Sequence, residues 1–258
     1  MILVVSDIHL GYAKSNTGSF SKFLEECSKV ELERFIILGD LLDFWRCNNA
    51  QAVIDNQHVL EQIGRLNVKT IDYIPGNHDF YIHKLAGIYG DHYPFVVSKW
   101  LTVDDGSHRI NFRHGYELEV LANLEPMTIE TYEWLSERMC FTERVTGGIL
   151  SELWGLIEDR HKLAESARHI KKPPHERNEL DKVKELALSK GVYVLLGMKP
   201  GEKLVYGHTH RPFLNMENTV ANTGSWVDEG PPDRLRNTYL TIENGRMELR
   251  QYGVDPFP

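Results

Sequence analysis

An α/β fold built on a mainly parallel sheet is what the sequence predicts, on three observations. Apolar segments of strand length recur at residues 2–5, 35–38 and 68–74; helical segments lie between them at 19–29 and 49–64; and each strand runs straight into a short polar loop. A β-α-β-α-β order requires helical crossovers between parallel neighbours. In such sheets ligands sit beyond the carboxyl ends of the strands, so those loops are where chemistry is expected.

Ile2 to Val5 read as the first buried strand, with Ser6-Asp7-Ile8-His9-Leu10-Gly11 as its loop. In the segment 19–29, Phe20, Phe23, Leu24 and Cys27 recur at helical spacing behind Ser19, a helix-capping residue. Phe35-Ile36-Ile37-Leu38 is a continuous apolar run, the pattern of a strand buried on both faces, and it ends at Gly39-Asp40-Leu41-Leu42-Asp43. An ionised carboxylate at the end of a buried strand is costly unless something pairs with it, and a metal is one such partner. Residues 49–64 predict one helix with Val53, Ile54, Leu60 and Ile63 inward and Gly64 near its end. The strand at 68–74 leads into Pro75-Gly76-Asn77-His78-Asp79.

Beyond about residue 92 the pattern changes. Residues 93–97 and 100–104 read as extended, and Asp104-Asp105-Gly106-Ser107 turns the chain into a strand at 109–113 that ends at His114-Gly115. Residues 116–190 carry helical periodicity rich in Glu, Leu, Lys and Arg, interrupted at Gly147-Gly148 and Lys171-Lys172-Pro173-Pro174. They read as an inserted helical subdomain, placed directly after His114 where it can act as a lid. A strand at 203–206 ends at Gly207-His208-Thr209-His210; 212–216 pairs with 219–222, and 237–243 with 246–252 around Asn244-Gly245, a hairpin dipeptide. The expected organisation is a core of 1–115 and 191–258 with 116–190 inserted.

The bulk properties narrow the function. At 258 residues, 41% hydrophobic and 26% charged, the chain suits one large globular domain or two small ones. Its longest apolar runs, such as Val192 to Leu196, fall far short of a bilayer span. The apolar start lacks a basic segment and is interrupted by Asp7 and His9, which reads as no signal peptide and a cytoplasmic protein. Cys27, Cys47 and Cys140 are odd in number and widely spaced, as expected of reduced thiols. A net charge of −8 argues against a protein living on nucleic-acid backbones. It leaves room for an anionic substrate, because bound metal can reverse the local field.

Five polar tips therefore stand out: Asp7-x-His9, Gly39-Asp40-x-x-Asp43, Gly76-Asn77-His78-Asp79, His114-Gly115 and Gly207-His208-x-His210. Mixed carboxylate, amide and imidazole ligation suits Mn, Fe, Zn, Co or Ni. In extended backbone residues i and i+2 point to one side, so Asp7 with His9, and His208 with His210, can face a common centre. Singly each tip is an ordinary turn; five at the strand ends of one sheet are hard to explain without a shared site.

In that order the tips resemble the calcineurin-like metallophosphoesterase superfamily, with motifs spread from residue 7 to 210. The resemblance implies a four-layer α/β/β/α sandwich with two divalent ions, read as Mn first. It implies Asp7, His9, Asp40 and His210 on one ion and Asp40, Asn77, His114 and His208 on the other, with Asp40 bridging. It makes His78 catalytic with Asp79 as its partner, and leaves Asp43 in a supporting part outside the metal set. The implied activity is hydrolysis of phosphate mono- or diesters by attack of a metal-bridging hydroxide. The implied substrate is a phosphorylated small molecule or a lipid-linked one, with nucleic acid disfavoured and peripheral membrane contact left open.

Gly39 to Trp45 and Gly207 to Pro212 are similar to the UDP-2,3-diacylglucosamine hydrolase branch, which cleaves a pyrophosphate. That branch characteristically has Arg where this chain has His78, a departure that favours a more general phosphoesterase. A nuclease and a non-catalytic scaffold of the same fold are the remaining alternatives. His58, His83, His92, His108, His161, His169 and His175 read as surface or structural histidines, with His83 close enough in sequence to reach substrate. Arg46 is read either as a holder of a second phosphate or as a structural ion-pair partner. Asn222-Thr223-Gly224-Ser225-Trp226 is expected to pack beside the site.

Overall fold

Two mixed sheets lie face to face in the computed structural model, which describes residues 1–90, 95–141 and 180–258. In chain order the strands are β1 (Ile2–Val5), β2 (Leu32–Ile37), β3 (Val68–Tyr73), β4 (Val96–Val97), β5 (Trp100–Asp105), β6 (His108–Arg113), β7 (Lys203–Tyr206), β8 (Phe213–Leu214), β9 (Val220–Asn222), β10 (Thr238–Glu243) and β11 (Arg246–Gln251). The helices among the described residues are α1 (Thr17–Cys27), α2 (Asn49–Asp55), α3 (Gln57–Gly64), α4 (Tyr81–Tyr89), α5 (Tyr116–Asn123), α6 (Ile129–Met139), α7 (Leu180–Leu188) and α8 (Gly191–Leu195).

The first sheet runs β11-β10-β1-β2-β3-β4 and the second β5-β6-β7-β9-β8. β1 to β4 pair in parallel, as the βαβ pattern requires, and the β10–β11 hairpin closes antiparallel onto β1. In the second sheet β6, β7 and β9 are parallel, with β5 and β8 antiparallel at the edges. Both sheets therefore send the carboxyl ends of parallel strands to the same region.

Alternation along the strands builds the layers. Ile2, Val4, Ile36 and Leu38 meet Ile110, Phe112, Val205 and Ala221 of the second sheet. Leu3, Val5, Phe35 and Ile37 point the other way, into Phe20, Phe23 and Leu24 of α1 and Val59 and Ile63 of α3. The run at 35–38 is apolar throughout because both faces are covered. Outside the second sheet, Leu118 of α5 joins Val183, Ala187 and Val192 of α7 and α8 over Leu204, Tyr206 and Val220. The result is the four-layer α/β/β/α sandwich. The described ends of the segment 116–190 thus supply helices packed on the second sheet, while α6 joins Phe80 and Trp45 near the strand ends. Gly147-Gly148, Lys171 to Pro174, the apolar residues between 149 and 157, His92, His161, His169 and His175 lie outside the described residues.

Local differences from the sequence expectation have identifiable causes. Residues 49–64 form two helices rather than one. Asn48 caps the first by accepting from Ala50 N and Gln51 N, and Asn56 ends it, its Nδ2 donating to Ala52 O at 2.8 Å. The break resets the helical phase, so Val53 and Ile54 are 38% and 67% exposed rather than inward, while Ala52, Val59 and Ile63 are buried. α1 begins at Thr17, ahead of the expected Ser19, yet buries Phe20, Phe23, Leu24 and Cys27 as its spacing predicts. No helix among the described residues is long and apolar enough to cross a membrane.

Candidate metal centre

The loops after β1, β2, β3, β6 and β7 meet where the two sheets present their carboxyl ends, and Asp7, His9, Asp40, Asn77, His78, Asp79, His114, His208 and His210 are all buried there. Asp7, His9, Asp40, His208 and His210 hold φ of 54°, 52°, 52°, 64° and 55°. Side chains rarely adopt this left-handed backbone, and its concentration in one place marks stored strain. Interlocking bonds maintain it: Asp7 N donates to Gly39 O (3.0 Å), His9 N to Asp40 O (2.8 Å) and Trp226 N to Asp7 O (3.0 Å). Two glycines make the approach feasible. A Cβ on Gly39 would lie 2.2 Å from His114 Nδ1, and one on Gly76 would lie 2.1 Å from Asp40 Oδ1.

The side chains form two convergent groups, Asp7 with His9 and His210 and Asp40 with His114 and His208, and Asp40 also groups with His9 and His78, which links the two. In the first, His210 Nε2 stands 3.2 Å from His9 Nε2 and 3.3 Å from Asp7 Oδ1, with Asp40 Oδ2 3.6 Å from His9 Nε2. In the second, His114 Nε2 stands 3.2 Å from Asn77 Oδ1, 3.3 Å from His208 Nδ1 and 3.4 Å from Asp40 Oδ2. Donor atoms about 2.0–2.2 Å from a common ion and about 90–110° apart lie about 2.8–3.6 Å from one another. These separations fall within that range. The donor chemistry fits as well. Asp7 Oδ1 is buried and receives no properly directed hydrogen bond. His114 Nδ1 is turned to Leu38 O at 2.8 Å, which aims Nε2 at three electron-rich atoms. Lone pairs that converge in this way are stabilised by a cation or a proton among them. The residues present therefore suit divalent metal, with Asp40 Oδ2 between His9 Nε2 and His114 Nε2 at 3.6 and 3.4 Å; Asp40 Oδ1 is held by His78 N at 2.8 Å.

Electrostatics agree with a cation site. Burial raises the Asp40 carboxyl, but His114, His78 and His9 outweigh it and hold it well below the usual carboxylate range. Burial likewise raises Asp43, and His78 and His9 more than offset it; Asp7 is lowered chiefly by His210 against its own burial. For His114 burial works downward, but Asp40 and Asp7, together with its bond to Leu38 O, push it up to about 10.

Behind the ligand-type atoms lie two carboxylates that orient imidazoles. Asp43, fully buried, takes His9 Nδ1 on Oδ2 at 3.2 Å and His78 Nδ1 on Oδ1 at 2.9 Å, while Arg46 Nη1 donates to Oδ2 at 2.9 Å. Glu119 of α5 takes His208 Nε2 at 2.5 Å. Each such bond fixes which ring nitrogen faces the centre. The carboxylate paired with His78 is thus Asp43 and not Asp79. Asp79 accepts from Leu41 N (2.7 Å), Leu42 N (3.3 Å), Tyr73 Oη (2.5 Å) and Gly76 N (2.7 Å), tying the β2 and β3 loops together. His78 also stacks on Trp45, ring centroids 4.3 Å apart. His83 stacks on Phe80, and Arg46 is committed to Asp43 and lies over the Tyr12 ring. The segment 222–226 packs beside the centre through Asn222 Nδ2 to Gly207 O (2.7 Å) and Ser6 Oγ to Thr223 Oγ1 (2.6 Å). Glu119 has no motif around it; its one signal is a charged residue set between Leu118 and Val120 in an apolar stretch.

The family model for calcineurin-like phosphoesterases matches residues 1–212. No curated protein matches the chain. Among solved structures, a dimetal phosphatase from Danio rerio aligns over 98% of this chain and 98% of its own, at 12% identity and a TM-score of 0.51, a likeness of fold. A Vps29 mutant from Entamoeba histolytica aligns over 97% of each chain at 13% identity and a TM-score of 0.41. A cold-active protein-tyrosine phosphatase from a psychrophilic Shewanella aligns over 97% of this chain and 77% of its own, at 15% identity and a TM-score of 0.41. With the family match running through all five polar tips and 212 of 258 residues, the chain belongs to the calcineurin-like phosphoesterase family.

Proposed function

We propose that the chain hydrolyses phosphate mono- or diesters as a phosphoesterase dependent on two divalent ions. The observation that carries this reading is Asp40 Oδ2, which stands between His9 Nε2 and His114 Nε2 and so links two groups of converging donor atoms. Asp7, His9, Asp40 and His210 would hold one ion, and Asp40, Asn77, His114 and His208 the other. The oxygen and imidazole donors suit Mn, with Fe, Zn, Co and Ni also matched to this set. When bound, such a pair supplies Lewis-acid polarisation of phosphoryl oxygens and a water of lowered pKa.

The chain's own residues do the rest. His78 spends Nδ1 on Asp43, which leaves Nε2 without a hydrogen bond to any described residue. That nitrogen is the group that stabilises charge on the leaving oxygen or returns a proton to it. Trp45 fixes the plane of the ring. Asp43 serves both His9 and His78, so ion binding and the proton-handling group share one anchor. Asp79 holds the two loops at their spacing. A phosphorylated small molecule or lipid-linked compound is the substrate class, and an acidic chain of net charge −8 is a poor match for a nuclease.

The test is direct. The protein is stripped, reloaded with each metal, and assayed on p-nitrophenyl phosphate, its bis ester, a nucleoside diphosphate sugar and single-stranded DNA. Turnover of either ester supports the reading; preference for DNA makes the protein a nuclease; no hydrolysis of anything with any metal leaves a scaffold.

A further inference from the structure

Asp43 carries more than its two imidazoles. A carboxylate offers about four lone-pair positions, and four donors take them. His78 Nδ1 (2.9 Å) and the Arg46 backbone N (3.1 Å) donate to Oδ1; His9 Nδ1 (3.2 Å) and Arg46 Nη1 (2.9 Å) donate to Oδ2. Arg46 thus holds both oxygens, one through its backbone and one through its side chain. The guanidinium is held in turn. It lies over the Tyr12 ring, 4.2 Å from the centroid, and Tyr12 Oη donates to Glu229 at 2.5 Å.

Held by two imidazoles alone, a carboxylate can turn about its Cβ–Cγ bond, and each turn carries both rings with it. Donors fixed on both oxygens remove that freedom. His9 belongs with Asp7 and His210 among the converging donor atoms, and His78 spends Nδ1 on the same carboxylate. A turn of Asp43 would therefore displace a metal-ligand imidazole and the proton-handling ring together. We propose that Arg46 is a positioning residue: it fixes the plane of the Asp43 carboxylate and thereby sets His9 for metal binding and His78 for turnover. Its planar guanidinium suits the task, because the fork is rigid and always charged. The inference rests on the phosphoesterase reading for His78, while its His9 half concerns metal binding alone.

Arg46→Ala keeps the backbone bond to Oδ1 and loses the bond to Oδ2, so the carboxylate is loosened rather than released. Stripped protein is titrated with Mn by calorimetry. On the same samples kcat and KM are measured with whichever p-nitrophenyl ester the wild type turns over, and the melting temperature is checked. In Arg46→Ala one of two Mn binding events should weaken by about tenfold, the lower end for a partner behind a ligating histidine. The kcat should fall by about 10–100-fold, as for a displaced catalytic group, with KM near the wild-type value. The Arg46 side chain is 27% exposed, so its place can be reached from solvent. Guanidinium ion below denaturing concentration should restore part of both losses, methylammonium less, and Arg46→Lys should retain part of the function. Arg65→Ala, which removes an exposed ion pair on α3, should change neither quantity. A folded Arg46→Ala protein with wild-type Mn binding and wild-type kcat overturns the positioning role. A rise in KM at unchanged kcat makes Arg46 a substrate contact and overturns it as well. So does a loss that neither guanidinium nor Arg46→Lys recovers, which marks a damaged fold. A weakened Mn event that guanidinium restores, in a protein whose wild type has no turnover, overturns the esterase and keeps the positioning; wild-type turnover that Arg46→Ala leaves unchanged, with both Mn events unshifted, does the reverse.

Discussion

If the proposed pair of ions is bound, Glu119→Gln should alter the surroundings of one and leave the other's alone. Glu119 is fully buried on α5, and its bond to His208 Nε2 at 2.5 Å leaves Nδ1 as the nitrogen facing the centre, 3.3 Å from His114 Nε2. Gln keeps the size and one acceptor oxygen but loses the charge that makes the imidazole a stronger donor. Partners of this kind behind a ligating histidine are worth about 10–100-fold in metal affinity, or about 1.4–2.8 kcal/mol. The group of Asp7, His9 and His210 has no such bond to Glu119. Calorimetric titration of stripped protein with Mn should show two binding events in the wild type. In Glu119→Gln one event should weaken by about 10–100-fold and the other should stay as in the wild type. If both events weaken equally, or neither does, Glu119 does not act through His208. Gln is preferred to Ala because truncation leaves a buried N–H unpaired, at about 1–3 kcal/mol of stability.

Three further outcomes are expected. His78→Ala should retain both ions yet turn over about 10²–10⁴-fold more slowly; a metal-replete variant with full turnover removes His78 from the chemistry. Asp79→Asn sets an amide among four donors, from Leu41, Leu42, Gly76 and Tyr73. It should lower the melting temperature, each unsatisfied group costing about 1–3 kcal/mol, while turnover per folded molecule survives; lost turnover at an unchanged melting temperature would restore a catalytic part. Because Asp40 and Asp7 overcome burial and push His114 up to about 10, metal binding at neutral pH should release a proton and strengthen as the pH rises toward that value. In metal-free protein the same shift stabilises the fold fully below the ordinary imidazole value of 6.5, and that stability is lost as pH rises through about 10. Mn affinity that does not vary with pH contradicts this.

Much of the site was legible because it follows from strand geometry. Each polar tip lies where an apolar run stops, but the i, i+2 rule of extended backbone does not hold there: Asp7, His9, His208 and His210 are left-handed, and His208 and His210 turn to different groups. What sequence does not encode locally is which carboxylate backs which imidazole. Asp43 and Asp79 look alike on paper, each a few residues past a ligand-type residue. Packing turns Asp43 beneath His9 and His78 and leaves Asp79 among backbone donors. Glu119 sits in a helix, where glutamate is ordinarily a solvent residue, and its role exists only because α5 packs on the second sheet beside β7. The phase of 49–64 was lost at Asn56, whose side chain competes for a helix carbonyl.

Anomalous diffraction from manganese-loaded crystals tests the central claim most directly. Two peaks about 3.5–4 Å apart are expected, with the Asp40 carboxylate between them, Asp7, His9 and His210 around one, and Asn77, His114 and His208 around the other. A single peak, or two peaks that Asp40 does not join, would contradict the shared-carboxylate account.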